Sequence, residues 1–325
     1  MTVDCDSGGL TIKKPMKYVF GPVNSRRLGI SQGIDLVPPK ICNFNCIYCE
    51  IGATTTLTCS RKEYIPLPEL LAEIDTVLAD RELLAHLDVF TITASGEPTL
   101  HSGIGQVIHY LKTRSDKPVV VLTNGSLLYL PEVRHDLLAA DIVIPSLDSA
   151  REESYRRINR PAACSPLAEL IEGLITFRKE FSGKFWLEIL LASKINDSPE
   201  DIAALVAAVE KIRPDKVQLN TVARPPLESF AKPLTQAELT AVARQLPGPV
   251  EILVDFTTRE REKFRHLSEG EIIEMLKRRP CTTNDVSEAL NLDPDSTQVM
   301  LQQLAASGRI IETNHHDKRY YQTSR

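Results

Sequence analysis

The chain has 325 residues and a net charge of −5, with 42% hydrophobic and 25% charged residues; this is the balance of a soluble globular protein long enough for about two domains. That charge provides no overall basic field, which excludes indiscriminate attraction to nucleic acid or anionic membrane. No signal-like N-terminus and no membrane-length apolar run occur, so a cytoplasmic protein with its seven cysteines as reduced thiols is expected.

In chain order, apolar runs of strand length alternate with helical patterns. GIDLVP (33–38) reads as a strand and is followed at once by ICNFNCIYCE (41–50). LPELLAEIDTVLADRELLAHL (67–87) reads as one helix, VFTITAS (89–95) as a strand, and GIGQVIHYLKTR (103–114) as a helix. PVVVLTN (118–124) and DIVIPSL (141–147) are strands, then LAELIEGLITFRKEF (167–181) a helix and FWLEILLAS (185–193) a strand. Helix 198–212 carries an N-terminal capping signal in Ser198, followed three residues later by Asp201. Strand DKVQLNTV (215–222), helix TQAELTAVARQL (235–246) and strand VEILVDF (250–256) complete the series. Continuous rather than alternating apolar character marks strands covered on both faces, and a repeating βα order implies a parallel sheet. The predicted fold class is α/β, a partial or full βα (TIM-like) barrel, with a doubly wound sheet as the alternative. Functional groups belong at the carboxyl ends of its strands.

Cys42, Cys46 and Cys49 are spaced C-x3-C-x2-C just beyond the first such strand, with no fourth cysteine at a comparable interval. Structural zinc takes four protein ligands, and no His lies within thirty residues of Cys49, so a local zinc site is not expected. A [4Fe–4S] cube held by three thiolates leaves one iron open for an external ligand, and Tyr48 stands ready to shield it. Three buried structural thiols are the alternative.

CNFNCIYC resembles the C-x3-C-x-aromatic-C signature of the radical S-adenosylmethionine (radical SAM) superfamily. The resemblance implies that the fourth iron binds the amino and carboxylate groups of S-adenosylmethionine, and that one electron from the reduced cluster releases methionine and a 5′-deoxyadenosyl radical. It further implies that Gly96, Glu97 and Pro98 in TASGEPTL (93–100) meet the methionyl ammonium, and that Asn124 in LTNGS and Ser146 in IPSLDS reach the ribose or carboxylate. Asp148 reads instead as the cap of the helix beginning AREESYRR. Lys194, Asn220 and Arg224 are further polar candidates at the barrel mouth. Arg26 and Arg27 read as a solvated pair and Cys59 as a loop cysteine. The resemblance covers roughly residues 17 to 256, and residues 21–52 are similar to small relatives of the tRNA wyosine synthases. Those synthases carry a second cluster; here Cys5, Cys59, Cys164 and Cys281 are isolated, which argues against one.

Residues 1–256 are thus expected to form the barrel, 257–268 a linker, and 269–325 a small C-terminal domain. EGEIIEMLKRRP, TTNDVSEALNL and DPDSTQVMLQQLAASG read as three short helices, and RIIETNHHDKRYYQT as a two-stranded wing. This resembles a winged helix. Seven basic residues face nine acidic ones in 269–325, and the third helix carries a single charge, Asp295, so duplex DNA binding lacks its phosphate contacts. The wing residues His315, His316, Lys318, Arg319, Tyr320 and Tyr321 remain candidates for contact with RNA, a peptide or a protein. No catalytic side chain is assigned. The expected function is reductive cleavage of S-adenosylmethionine, fed by an electron donor such as flavodoxin or ferredoxin, with hydrogen abstraction from an RNA base, a peptide or a small cofactor precursor. The competing class is an iron–sulfur redox sensor that reads nucleic acid and does no chemistry.

Overall fold

The computed structural model describes residues 16–25, 27–93, 95–253, 269–290, 292–315 and 318–323. Arg26, Cys5, His316 and the expected linker 257–268 lie outside them. The first half comprises β1 (Val19–Ser25), β2 (Gly29–Asp35), β3 (Ile41–Cys42), β4 (Thr56–Leu57), α1 (Leu67–Ala79), α2 (Arg81–His86), β5 (Val89–Thr93), α3 (Ile104–Arg114), β6 (Val119–Thr123), α4 (Pro131–Leu137) and β7 (Ile142–Pro145). There follow α5 (Glu152–Asn159), α6 (Leu167–Glu180), β8 (Lys184–Leu191), α7 (Pro199–Ile212), β9 (Lys216–Thr221), α8 (Gln236–Ala243) and β10 (Val250–Ile252). The C-terminal part holds α9 (Glu269–Arg278), α10 (Thr283–Leu290), α11 (Pro294–Ala306), β11 (Ile310–His315) and β12 (Lys318–Thr323).

Eight strands make one sheet in the order β1-β2-β5-β6-β7-β8-β9-β10. From β2 onward all neighbours are parallel. Each crossover carries helices over the outer face, so both faces are covered and the strands are apolar throughout; in β6 Val119, Val120 and Val121 are fully buried. The sequential strand order is that of a partial TIM-like barrel, whose end strands β1 and β10 are not neighbours.

Three sequence readings change. β1 pairs antiparallel with β2 and precedes the parallel series; its GPVNS stretch had no strand pattern. The expected helix 67–87 is two helices, because Asp80 leaves helical geometry and its side chain accepts from Leu83 N, capping α2. The cysteines are not all free: Cys59 is disulfide-bonded to Cys164, tying the segment after the thiol loop to the α5–α6 connection. Ser198 does cap α7, accepting from Asp201 N at 3.2 Å.

The C-terminal helices and the β11–β12 hairpin bury a second core, including Ile272, Leu276, Val286, Leu301, Ile310 and Tyr321, and Val23 of β1 packs against it. Tyr320 and Tyr321 are 3% and 0% exposed, so neither is placed to stack on a base.

Candidate cofactor site

The thiol loop leaves the carboxyl end of β2 and is pinned at both flanks. Asn45 Oδ1 accepts from Thr54 N at 2.8 Å, Ala162 N donates to the Asn43 carbonyl at 2.8 Å, and Ile47 N donates to the Ile158 carbonyl at 2.9 Å. Cys42, Cys46 and Cys49 are unbonded and half-buried. Each sulfur faces a donor: Phe44 N lies 3.3 Å from Cys42 Sγ, Asn159 Nδ2 3.5 Å from Cys46 Sγ, and Lys40 Nζ 3.0 Å from Cys49 Sγ. Burial pushes the Cys42 thiol up to about 12, with Glu97 and Cys49 adding to it. Burial likewise raises Cys46 well above its usual value, helped by Asp148 and by the two other sulfurs. With their thiols raised in this way, Cys42 and Cys46 ionise only against a compensating cation, which is what bound iron would provide.

Among the described residues no three His, Cys, Asp or Glu side chains form a site for a single metal ion. Three sulfurs carried on one eight-residue loop, with hydrogen-bond donors behind them and no imidazole or carboxylate in the set, fit a multi-iron cluster.

The predicted strand-end residues gather around this loop. An added Cβ at Gly96 would lie 1.9 Å from the Ile41 carbonyl oxygen, and Glu97 N donates to that oxygen at 3.0 Å. Gly96 therefore packs against the root of the thiol loop itself. Glu97 is 1% exposed. Its Oε1 accepts from Thr99 N at 3.0 Å, Thr99 Oγ1 at 2.6 Å and Thr123 Oγ1 at 2.6 Å, and its Oε2 from Asn124 N at 2.8 Å. Burial raises its pKa against these donors. Pro98 begins the buried turn that follows. Asn124 donates to Asn43 Oδ1 at 2.6 Å and lies 3.8 Å from Cys42 Sγ.

Asn124, Ser146 and Tyr48 line one small cavity with Asp148 and Asn159, walled also by Phe44, Leu147, Tyr155 and Leu170, of about 10 Å³, which is room for a single water. Asp148 does not cap α5, whose N-cap is Arg151 without a side-chain bond. It is instead the hub of this pocket, accepting from Tyr48 Oη at 2.6 Å, Asn159 Nδ2 at 2.7 Å and Leu190 N at 2.9 Å. Burial lifts its pKa to about 6 against the Tyr48 and Asn159 hydrogen bonds. Sequence reasoning missed Lys40, Asn43 and Asn159; only Asn43, inside the cysteine motif, carried a local signal.

A second, larger cavity of about 920 Å³ opens from Tyr48 and Cys49 into the barrel. Asn220 and Arg224 line it, whereas Lys194 is not among its lining residues. Arg27 also faces it and is no solvated residue: its Nη1 bonds Gln218 Oε1 at 3.1 Å and forms an ion pair with Glu188 at 2.5 Å. Arg224 Nη1 lies 3.2 Å from Glu50 and its Nη2 3.3 Å from Asp285 of α10.

With this architecture in place, residues 36–206 match the Radical SAM superfamily, and the chain belongs to that superfamily. It is an enzyme of the radical SAM class, whose members use a [4Fe–4S] cluster and S-adenosylmethionine. Among curated proteins it is similar to a UPF0026 protein of Methanocaldococcus jannaschii, 30% identical over 311 residues and covering 94% of this chain and 96% of that one. It is also similar to the GTPase Obg of Brachyspira hyodysenteriae, 36% identical over 303 residues and covering 92% of this chain, but it spans only 44% of that relative's length. Among solved structures, a radical SAM methyltransferase from Sphaerobacter thermophilus superposes with a TM-score of 0.53 at 16% identity over 68% of this chain and 66% of its own. TYW1 with a bound lysine-pyruvate adduct gives a TM-score of 0.47 at 15% identity, covering 94% and 82%. Among the described residues no helix is long and apolar enough to cross a membrane.

Proposed function

We propose that Cys42, Cys46 and Cys49 hold a [4Fe–4S] cluster, that S-adenosylmethionine binds at its open iron, and that hydrogen is abstracted from a substrate in the large cavity. The observation that carries this reading is the loop of three free thiols at a barrel-strand end, each sulfur facing a hydrogen-bond donor. When bound, the cluster supplies the electron that cleaves S-adenosylmethionine to methionine and a 5′-deoxyadenosyl radical. The chain's own residues position and shield. Lys40, Asn159 and the Phe44 amide orient the sulfurs, as outer donors do at metal sites. Glu97 fixes the Gly96–Pro98 turn against β6, and that turn receives the methionyl ammonium. Asn124 and Ser146 receive the ribose or carboxylate once the small cavity they line is widened. Phe44, packed edge-on to Tyr155 at 5.7 Å, keeps water from one side of the loop. The electron comes from a small donor such as flavodoxin or ferredoxin. The buried state of Tyr320 and Tyr321 removes the stacking contacts on which recognition of an RNA base by the wing would rest.

Anaerobic reconstitution should load about four irons and four sulfides per chain. Replacing any one of the three cysteines by Ala should remove the brown chromophore. Reduced protein given S-adenosylmethionine should slowly release 5′-deoxyadenosine. A variant lacking all three thiols that still assembles a full cube would overturn the assignment.

A further inference from the structure

The C-terminal helices do not hang beside the barrel. Met275, Arg278 and Arg279, from α9 and the residue after it, line the same cavity as Tyr48 and Cys49. This wall is fastened at several points. Arg278 Nε lies 3.2 Å from Asp35 at the end of β2, and its guanidinium stacks on Phe20 of β1 at 4.1 Å. Tyr320 Oη donates to the Ala223 carbonyl at 2.9 Å, and Arg224 meets Asp285. The cavity that results, about 920 Å³, lies in the roughly 300–1,000 Å³ range of small-molecule sites. Its size suits a small molecule.

Its charges pair off with one exception. Arg27 is matched by Glu188, Arg224 by Glu50 and Asp285, and Arg278 by Asp35. Glu274 is met by Lys277, Asp80 caps α2, and Glu271 is likewise engaged. Arg279 makes no ion pair among the described residues. Asp285 lies within electrostatic reach of it, but that carboxylate is already committed to Arg224 and to the Thr282 amide and hydroxyl. Much of the remaining wall is apolar, including Val23, Leu28, Leu122, Leu190 and Met275.

We propose, resting on the radical SAM reading of the site, that the substrate is a small, largely apolar anion enclosed between the barrel and α9. Arg279 meets its anionic group and Met275 packs on its apolar part, so the C-terminal region sets specificity from inside the active site.

The test titrates the full-length protein, reconstituted anaerobically with S-adenosylmethionine present, by calorimetry. The probes are octanoate, octanol and octylammonium. Octanoate should bind about tenfold or more tightly than octanol, since a hydrogen bond to a charged partner is worth that much, and octylammonium should bind no better than octanol. Arg279→Gln should reduce octanoate to the octanol level, and Arg279→Lys should restore most of the preference. Met275→Trp should abolish octanoate binding, whereas Val299→Trp on the exposed side of α11 should leave it unchanged. The proposal is overturned if octanol matches octanoate in the unaltered protein, if Arg279→Gln keeps the preference, or if Met275→Trp still binds. Tight binding of a folded tRNA that Met275→Trp weakens would also overturn it, in favour of a nucleic-acid substrate. Release of 5′-deoxyadenosine from the same preparations reads the cofactor assignment separately; its absence would fault that assignment and leave the octanoate comparison to judge the cavity.

Discussion

Gly96 shows what a motif residue does once its neighbours are visible. SGEP suggests a glycine kept small so that a cofactor can approach. In the fold, the Ile41 carbonyl oxygen already occupies the space, 1.9 Å from where a Cβ would stand. A side chain there displaces backbone beside Cys42, and no flexible neighbour can yield. Gly96→Val should therefore lose bound iron along with affinity for S-adenosylmethionine, with most of the iron absent after reconstitution. Iron and sulfide assays decide it; full iron content with only weakened cofactor binding would show that the thiol loop tolerates the clash. The three cysteines were legible because their spacing is local. The role of Asp148 was not, because its partners Tyr48, Asn159 and Leu190 come from three separate segments, and a buried Asp looks the same in sequence as a helix cap.

Among elements, the parallel strands were legible for the reason they are stable: buried on both faces, they are apolar without interruption. Helix α7 was legible through Ser198, whose hydroxyl accepts from Asp201 N and donates to Asp201 Oδ2 at 2.8 Å. Ser198→Ala should lower stability by about 1 kcal/mol, the usual worth of such a cap, while leaving iron loading unchanged. Chemical denaturation of the two proteins measures it, and an unchanged midpoint would mean that packing alone holds the helix end. β1 escaped notice because its intermediate burial, a Gly-Pro step and a polar end hide the alternation of a strand; its pairing with β2 and its seat under the C-terminal core define it. The division between α1 and α2 escaped for a related reason, since Asp80 interrupts a helix without any glycine or proline to announce it.

At the scale of the molecule, the last helices and their hairpin are packed on the barrel sheet. They share a core contact through Val23 and an ion pair through Asp35 with the barrel. Burial lifts the pKa of Asp35 from 3.8 to about 6, with Arg278 pulling the other way. Between those values the folded protein binds more protons than the unfolded chain, so this group's contribution to stability falls as pH rises through that window. Asp35→Asn removes the titration. The melting temperature of the unaltered protein relative to Asp35→Asn should be highest near pH 4, decline to about pH 6 and then level off, following the shift of this one group. Thermal melts at closely spaced pH values check it, and a difference that grows with pH would contradict the burial of that carboxyl.

Arg224 joins two regions that the chain keeps far apart. One side of its guanidinium holds Glu50, the residue after Cys49, and the other holds Asp285 in α10. Linkage is symmetric: if ordering Glu50 favours the seating of α10 by some factor, then seating α10 favours that order at Glu50 by the same factor. Order at Glu50, one residue beyond Cys49, and the seat of α10 are then coupled in one equilibrium. The pair thus ties the order of the residue after Cys49 to the seat of α10, so that loosening either loosens the other.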